Sequence, residues 1–231
     1  MKGLFLGLSV CLLVALLPAA LGHDHPEPKK GRVAYYRMSN GLGTPTGACG
    51  YAKTGVTYNY GNVAAASSKL WKNGAACGAC YLVKCGIKGI CNNEGVKIVV
   101  TDRGDGDNTD FILSSHAFET MALPNKASQL LPKAVVDVKY ERIPCKYLLI
   151  GGQYDVLGIQ IYDGSVKQWK DMRNAYGAVY DLPNPPKGTI SLRLKLKNIA
   201  SGGAVKLVKL DDVIPRFWKA GVAYDSKVKL A

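Results

Sequence analysis

Six cysteines fall between residues 49 and 145 and none follow, and this constrains the chain more than any other feature. They are Cys49, Cys77, Cys80, Cys85, Cys91 and Cys145; a seventh, Cys11, sits in an apolar leader. An even set in an oxidising compartment reads as a disulfide framework, here of three bridges. A zinc site competes, because Cys77-Gly-Ala-Cys80 is a C-x-x-C, but an oxidising compartment disfavours it. The one-sided distribution predicts a boundary near Cys145. A stapled first domain precedes it, and the domain after it must stand on its core alone.

The compartment follows from the first 22 residues. Lys2 supplies a charged start, Leu4 to Leu17 an apolar run, and Ala20-Leu21-Gly22 a small-x-small cleavage site before His23. This pattern is a signal peptide, and the chain is expected to be secreted to the extracellular region. The run is too short for a membrane anchor, and no later run reaches spanning length. Residues 23–32 read as a disordered polar tail. Past residue 22 there are 29 basic and 17 acidic residues, a balance of +12. Such a balance suggests nucleic acid, but secretion argues against it and leaves acidic polysaccharide or lipid headgroups as the polyanions to consider. A soluble surface with spare lysines is the plainer alternative. Neither a nucleic-acid partner nor a membrane partner is expected, and the chain is expected to be a monomer.

Strand patterns dominate the chain. They cover 95–102, 133–143, 154–164 and 189–199, the last with Ile190, Leu192, Leu194 and Leu196 on one face and Ser191, Arg193, Lys195 and Lys197 on the other. Period two marks a half-buried antiparallel strand. Residues 202–210 follow a glycine turn, so 189–210 reads as a hairpin. Helical signal is confined to 114–123, with Ser114 or Ser115 as N-cap, and to a turn or two within 62–71. Residues 181–188, rich in proline, cannot be regular.

Several ordered stretches resemble the expansin superfamily, and specifically the plant expansin-like B group. They are GTPTGACGY (43–51), LWKNGAACGACYLVKC (70–85), TDFILSSHAF (109–118), VVDVKYERIPCKY (135–147), NAYGAVYDLPNPPKGTISLR (174–193) and VIPRFWKAGVAYDS (213–226). The resemblance implies a mainly β protein. Residues 33–146 would form a six-stranded double-psi β-barrel, similar to glycoside hydrolase family 45. Residues 147–231 would form an immunoglobulin-like β-sandwich that binds carbohydrate. Grass-pollen group 1 allergens share this plan. It also implies the pairing Cys49–Cys77, Cys80–Cys145 and Cys85–Cys91, which sequence alone cannot choose among fifteen. The implied activity is loosening of plant cell walls without cutting polysaccharide.

The acidic loop TDRGDGDNTDFILSSHAF (101–118) carries Asp102, Asp105, Asp107 and Asp110. Hydrolysis of a glycosidic bond needs two carboxyl groups, one of them a proton donor. In the typical expansin barrel a His-Phe-Asp precedes Leu-Ser, and its Asp matches the hydrolase general acid. Here Asp110-Phe111-Ile112 stands in that place, and Ile112 cannot transfer a proton. The Thr-x-Tyr-Gly motif becomes Ala34-Tyr35-Tyr36-Arg37, keeping only Tyr36, and Thr44 replaces a groove aspartate. Asp102, Asp110 and Tyr36 remain as vestigial groove candidates, and no catalytic residue is expected. A weak endoglucanase using Asp102 and Asp110, or a barwin-type defence protein, are the alternatives. The aspartate spacing does not match a calcium loop, so a solvated loop with no metal or cofactor is expected. His116 reads as a surface or packed residue, since no partner for a base is indicated.

In the second half, aromatic faces are the candidates for sugar stacking. Tyr176 and Tyr180 share a face if 176–180 is one strand, and Trp218 is a further candidate; Tyr176 matches one of the family's stacking aromatics. Trp169 matches a position taken as core. Lys167, Lys170, Lys187 and Lys195 add attraction for acidic wall polymers. Only Leu148-Leu149-Ile150 separate 142–147 from 151–164, where the family carries a linker and most of two strands. About 20 residues are thus missing, roughly two strands and a turn. The sandwich is expected to lack its N-terminal segment and to offer about six strands where about seven are needed.

Overall fold

Alternation of apolar and polar residues marks most strands of the first sheet, which turn one face inward. In this computed structural model the described residues are 27–38, 40–145, 154–198 and 203–219, with Tyr224 and Ser226. The leader 1–22 and the junction 146–153 lie outside them. Six strands form a closed barrel: β1 (Lys29–Tyr36), β2 (Val63–Ala66), β3 (Cys80–Cys85), β4 (Val96–Arg103), β5 (Phe111–Ser114) and β6 (Val136–Ile143). Their order is β1-β5-β2-β4-β3-β6, with β1–β5 and β2–β4 parallel and the other pairs antiparallel. Phe111, Phe118, Ile98, Leu113 and Val83 fill the interior and are fully buried.

Four short helices decorate it: α1 (Ala52–Thr57), α2 (Ser68–Trp71), α3 (Ser115–Thr120) and α4 (Ala127–Leu130). Ser114 caps α3 as expected, its hydroxyl accepting from the Ala117 amide at 3.1 Å. All three implied disulfides are formed. Cys80 opens β3 and Cys145 lies just past β6, so their bridge locks two neighbouring strands.

Two expectations need correction. The tail does not extend to residue 32: β1 begins at Lys29, because Lys29–Val33 pair with β6, with Lys30 and Arg32 on the outward face. Of the turn or two expected within 62–71, α2 supplies one at Ser68–Trp71, but residues 63–66 are a strand. Their alanines favour a helix locally, but the position lies between β5 and β4 and all four residues are buried, so the tertiary setting overrides propensity.

The second half has six strands among the described residues: β7 (Tyr154–Asp163), β8 (Gln168–Asp171), β9 (Arg173–Tyr176), β10 (Val179–Asp181), β11 (Ile190–Asn198) and β12 (Val205–Ile214). Four form an antiparallel sheet in the order β12-β11-β7-β8, and β9–β10 make a separate two-stranded ribbon. The expected hairpin 189–210 is β11–β12, though β12 runs on to Ile214. The buried cluster is small: Tyr154, Ile159, Leu194, Leu196 and Leu210, with Met172 and Tyr180 leaning on it. Where a full sandwich would set a second broad sheet, the described residues of this domain supply the ribbon.

The ribbon turn also meets the barrel. Gly177 has a φ of 50°, and a Cβ there would lie 2.1 Å from the Ala48 carbonyl oxygen, so only glycine fits. Ala178 donates its amide to the Cys49 carbonyl at 3.2 Å. Asp155, buried at the start of β7, accepts from Lys72 at 2.9 Å and from Arg142 at 3.3 Å, both barrel residues.

Candidate functional site

The register of four strands sets one outward row on the barrel. Ala34 on β1 pairs with Ile112 on β5, Ile112 with Ala65 on β2, and Ala65 with Asp102 on β4. Phe111 and Leu113 point inward, so Ile112 between them points out. Its Cδ1 packs against the loop: a Cβ on Gly104 would stand 3.2 Å from it. The centre of the row is therefore an aliphatic side chain.

Asp102 closes the row. One of its carboxylate oxygens accepts from the Ala48 amide at 2.6 Å and the Arg103 amide at 2.7 Å. The buried Tyr36 hydroxyl has no hydrogen-bond partner among the described residues. Burial, and then the nearby Asp102 charge, push its pKa well above the usual tyrosine range. Thr44 is turned toward Thr46, their hydroxyls 2.9 Å apart.

Asp110 has different surroundings. It is 9% exposed and lies over the end of the barrel. It accepts from the Arg32 amide at 3.1 Å and the Tyr140 hydroxyl at 3.3 Å, with Lys69 at 3.7 Å. A Cβ on Gly31 would meet its carboxylate at 2.3 Å, so the strand carries glycine where the acid sits. Burial, followed by Asp110 itself, raises the pKa of Tyr140. Among the described residues the Asp110 carboxylate is tied to Arg32 and Tyr140, and none of its hydrogen bonds reaches the Asp102 row.

Asp105 and Asp107 are exposed, as expected of a solvated loop. Asp105 accepts from the Ser68 hydroxyl and amide, which holds its carboxyl below the usual range. Together with Asp110 they edge a cleft of about 530 Å3 that does not include Asp102. No group of three or more metal-ligating side chains is assembled among the described residues. His116 is exposed on α3.

The aromatic candidates separate. Tyr176 and Tyr180 do not lie on one strand: Gly177 and Ala178 turn the chain between β9 and β10. Tyr176 is 56% exposed and sits beside the barrel at Gly50, whereas Tyr180 leans on the small core. Trp218 is 43% exposed after a turn at Pro215. Trp169 is not core. It lies half-buried on the outer face of the sheet, 5.3 Å from the Tyr162 ring, with the Arg193 guanidinium 4.6 Å above it. Lys170 is engaged by Asp163 at 2.6 Å, which brings the Asp163 pKa down to about 2.

A closed six-stranded barrel followed by a β-rich domain is a two-domain plan, and comparisons match both parts. Residues 63–140 match the DPBB_1 family model, described as lytic transglycolase, and residues 141–215 match the expansin C-terminal domain. An expansin of Clavibacter michiganensis has the same fold, with a TM-score of 0.55 at 15% identity over 79% of this chain and 90% of that one. A mutant of that expansin, crystallised in complex with cellohexaose, gives a TM-score of 0.56 at 17% identity, with the same coverage.

Expansin-like B1 of Arabidopsis thaliana is 38% identical over 94% of each chain, and expansin-like B1 of Oryza sativa subsp. japonica is 34% identical over 86% of this chain and 87% of its own. The chain belongs to the expansin superfamily, in its expansin-like B group. Expansin-like A2 of Arabidopsis thaliana is 31% identical over 100% of this chain and 93% of its own. That match runs over 255 positions against 231 residues here, so at least 24 positions (255 minus 231) face gaps in this chain.

Proposed function

We propose that this chain is a secreted plant cell-wall protein that associates with polysaccharide of the cellulose or xyloglucan type and acts on the wall without hydrolysis. The observation that carries this reading is Ile112 at the centre of the outward row, where a proton donor would be needed. Asp102 is occupied by two backbone amides and Asp110 by Arg32 and Tyr140, which speaks against the pair as an acid and base. Membership of the expansin superfamily and the cellohexaose held by the Clavibacter protein support the polymer class. The leader 1–22 supports secretion. No described helix is long and apolar enough to cross a membrane. The second matched domain favours an expansin over a barwin-type protein. We place the division between domains after residue 146, since β6 still belongs to the barrel and Cys145 is bonded back to Cys80.

Sugar contact falls to Tyr176, with Trp218 as a second aromatic and Tyr180 as a supporting one. In a pull-down on cellulose and xyloglucan the protein is retained as a monomer and releases no reducing sugar above a blank. Tyr176→Ala weakens retention roughly fivefold, the loss expected of one stacking ring. Ile112→Asp leaves retention unchanged. Sugar release that disappears in Asp110→Ala would sink the non-hydrolytic reading.

A further inference from the structure

The barrel carries a second feature on the wall away from the Asp102 row. In the register of β1, β6 and β3, Lys30 pairs with Lys139 and Lys139 pairs with Lys84. Three lysines therefore stand side by side across three hydrogen-bonded strands. Their neighbours Val33, Val83, Val138 and Tyr140 point into the core, so all three lysines face outward, and all are exposed. None has an ion-pair partner among the described residues. In the next row Arg32 faces Asp137 at 3.8 Å. The row edges a cleft of about 670 Å3 whose lining includes Lys30, Arg32, Lys84, Asp137 and Lys139, with Gly31 and Gly86.

Like charges directly opposite one another destabilise a sheet. Packing does not require a cation at any of the three positions, since any polar residue would fit an exposed site. The repulsion is relieved by a ligand that brings one negative charge to each lysine. Neighbouring strands are about 4.8 Å apart, a step comparable to one ring of a 1,4-linked sugar chain laid across the strands. Lysine is a compact point charge that pairs with one anionic group at a time, so the spacing of the row rather than the lysine head selects the ligand. The one arginine here is already held by Asp137 and by the Asp107 carbonyl at 2.8 Å. The lysine stems offer an apolar bed beneath their charges.

We propose that the Lys30–Lys139–Lys84 row binds a polyuronate, a polysaccharide with a carboxylate on consecutive rings, at a site separate from the Asp102 row. The choice of a sugar polymer rests on the wall-polysaccharide reading above; the residues and their charge demand do not. The test uses the full chain and gel retardation in de-esterified polygalacturonate, in its methyl-esterified form, and a cellulose pull-down run beside them. The parent is retarded by the de-esterified polymer and much less by the ester, and added salt weakens the effect. The triple variant Lys30→Gln, Lys84→Gln, Lys139→Gln loses at least tenfold in affinity for the acid polymer and keeps its cellulose binding. The single variant Lys139→Gln loses about threefold, and the triple Lys→Arg variant keeps most of the binding. A triple Gln variant that binds polygalacturonate like the parent overturns the proposal. So does a parent that binds double-stranded DNA or anionic phospholipid vesicles as tightly as polygalacturonate. Loss of cellulose binding alone would count against the function proposed above and leave this site standing.

Discussion

The barrel and the domain after it solve the same problem with different means. The barrel gathers 25 buried apolar residues into one cluster, closes its sheet on itself and adds three disulfides. Among its described residues the second domain has six strands of similar length but a buried cluster of five, a sheet whose end strands β12 and β8 have no further partner, and no disulfide. What it lacks in core it takes from its neighbour: Asp155 reaches Lys72 and Arg142, and Gly177 lies against Ala48 and Cys49. Strand count alone does not make a domain; closure and covered area do.

The comparison can be broken most directly by separating the halves. Residues 147–231 made alone are expected to show no cooperative thermal transition, since five buried side chains and an uncovered sheet leave little to lose at once. A sharp melt at an ordinary temperature, with cellulose binding equal to a full-length relative, would end the idea of dependence. Next in size is Asp155→Ala in the full chain. The side chain of Arg142 is only 10% exposed, and stranding a buried charge costs about 3 kcal/mol. Chemical denaturation should show this loss, with the second domain released first. Gly177→Ala follows at roughly 2 kcal/mol, from the left-handed backbone and the collision with Ala48. Its signature is faster proteolysis within 173–181 while the barrel stays intact. The smallest effect has the opposite sign. Lys139→Gln removes two like-charge neighbours and should raise barrel stability by roughly 0.5 kcal/mol, read as a small rise in melting temperature at low salt.

Much of this was legible in the chain. Strands with clean alternation, such as β6 and β11, came out within about three residues of their expected ends, because one buried face writes itself into the sequence with period two. Ser114 announced α3 through its cap. Val63–Ala66 did not announce itself, since a strand buried on both faces carries no alternation and alanine says helix. In the site, the lack of an ionisable group at Ile112 is read directly from the sequence. Asp110 stands apart from the Asp102 row because two steps along a strand share a face only while the strand lasts, and β5 begins at Phe111. Trp169 was assigned to the core through the family position it matches, but Arg193 and Tyr162 hold it outside. The lysine row needed the register of three strands that lie more than 50 residues apart in places, which no local pattern supplies.

The pairing of β1 with β6 also imposes an order in time. Lys29 lies opposite Tyr140, so the barrel cannot close until more than a hundred further residues have been made. At the usual pace of synthesis that is a wait on the order of ten seconds. During it Cys77 and Cys80 are already exposed to each other, with two residues between them, while the final partner of Cys80 does not yet exist. The bridge between Cys85 and Cys91 can form early and stay. The other two invite a provisional Cys77–Cys80 bond that must later be exchanged through thiolate attack. Newly made chain should therefore depend on disulfide isomerisation for its rate of maturation, with the last-made cysteine of the barrel acting as the step that commits it.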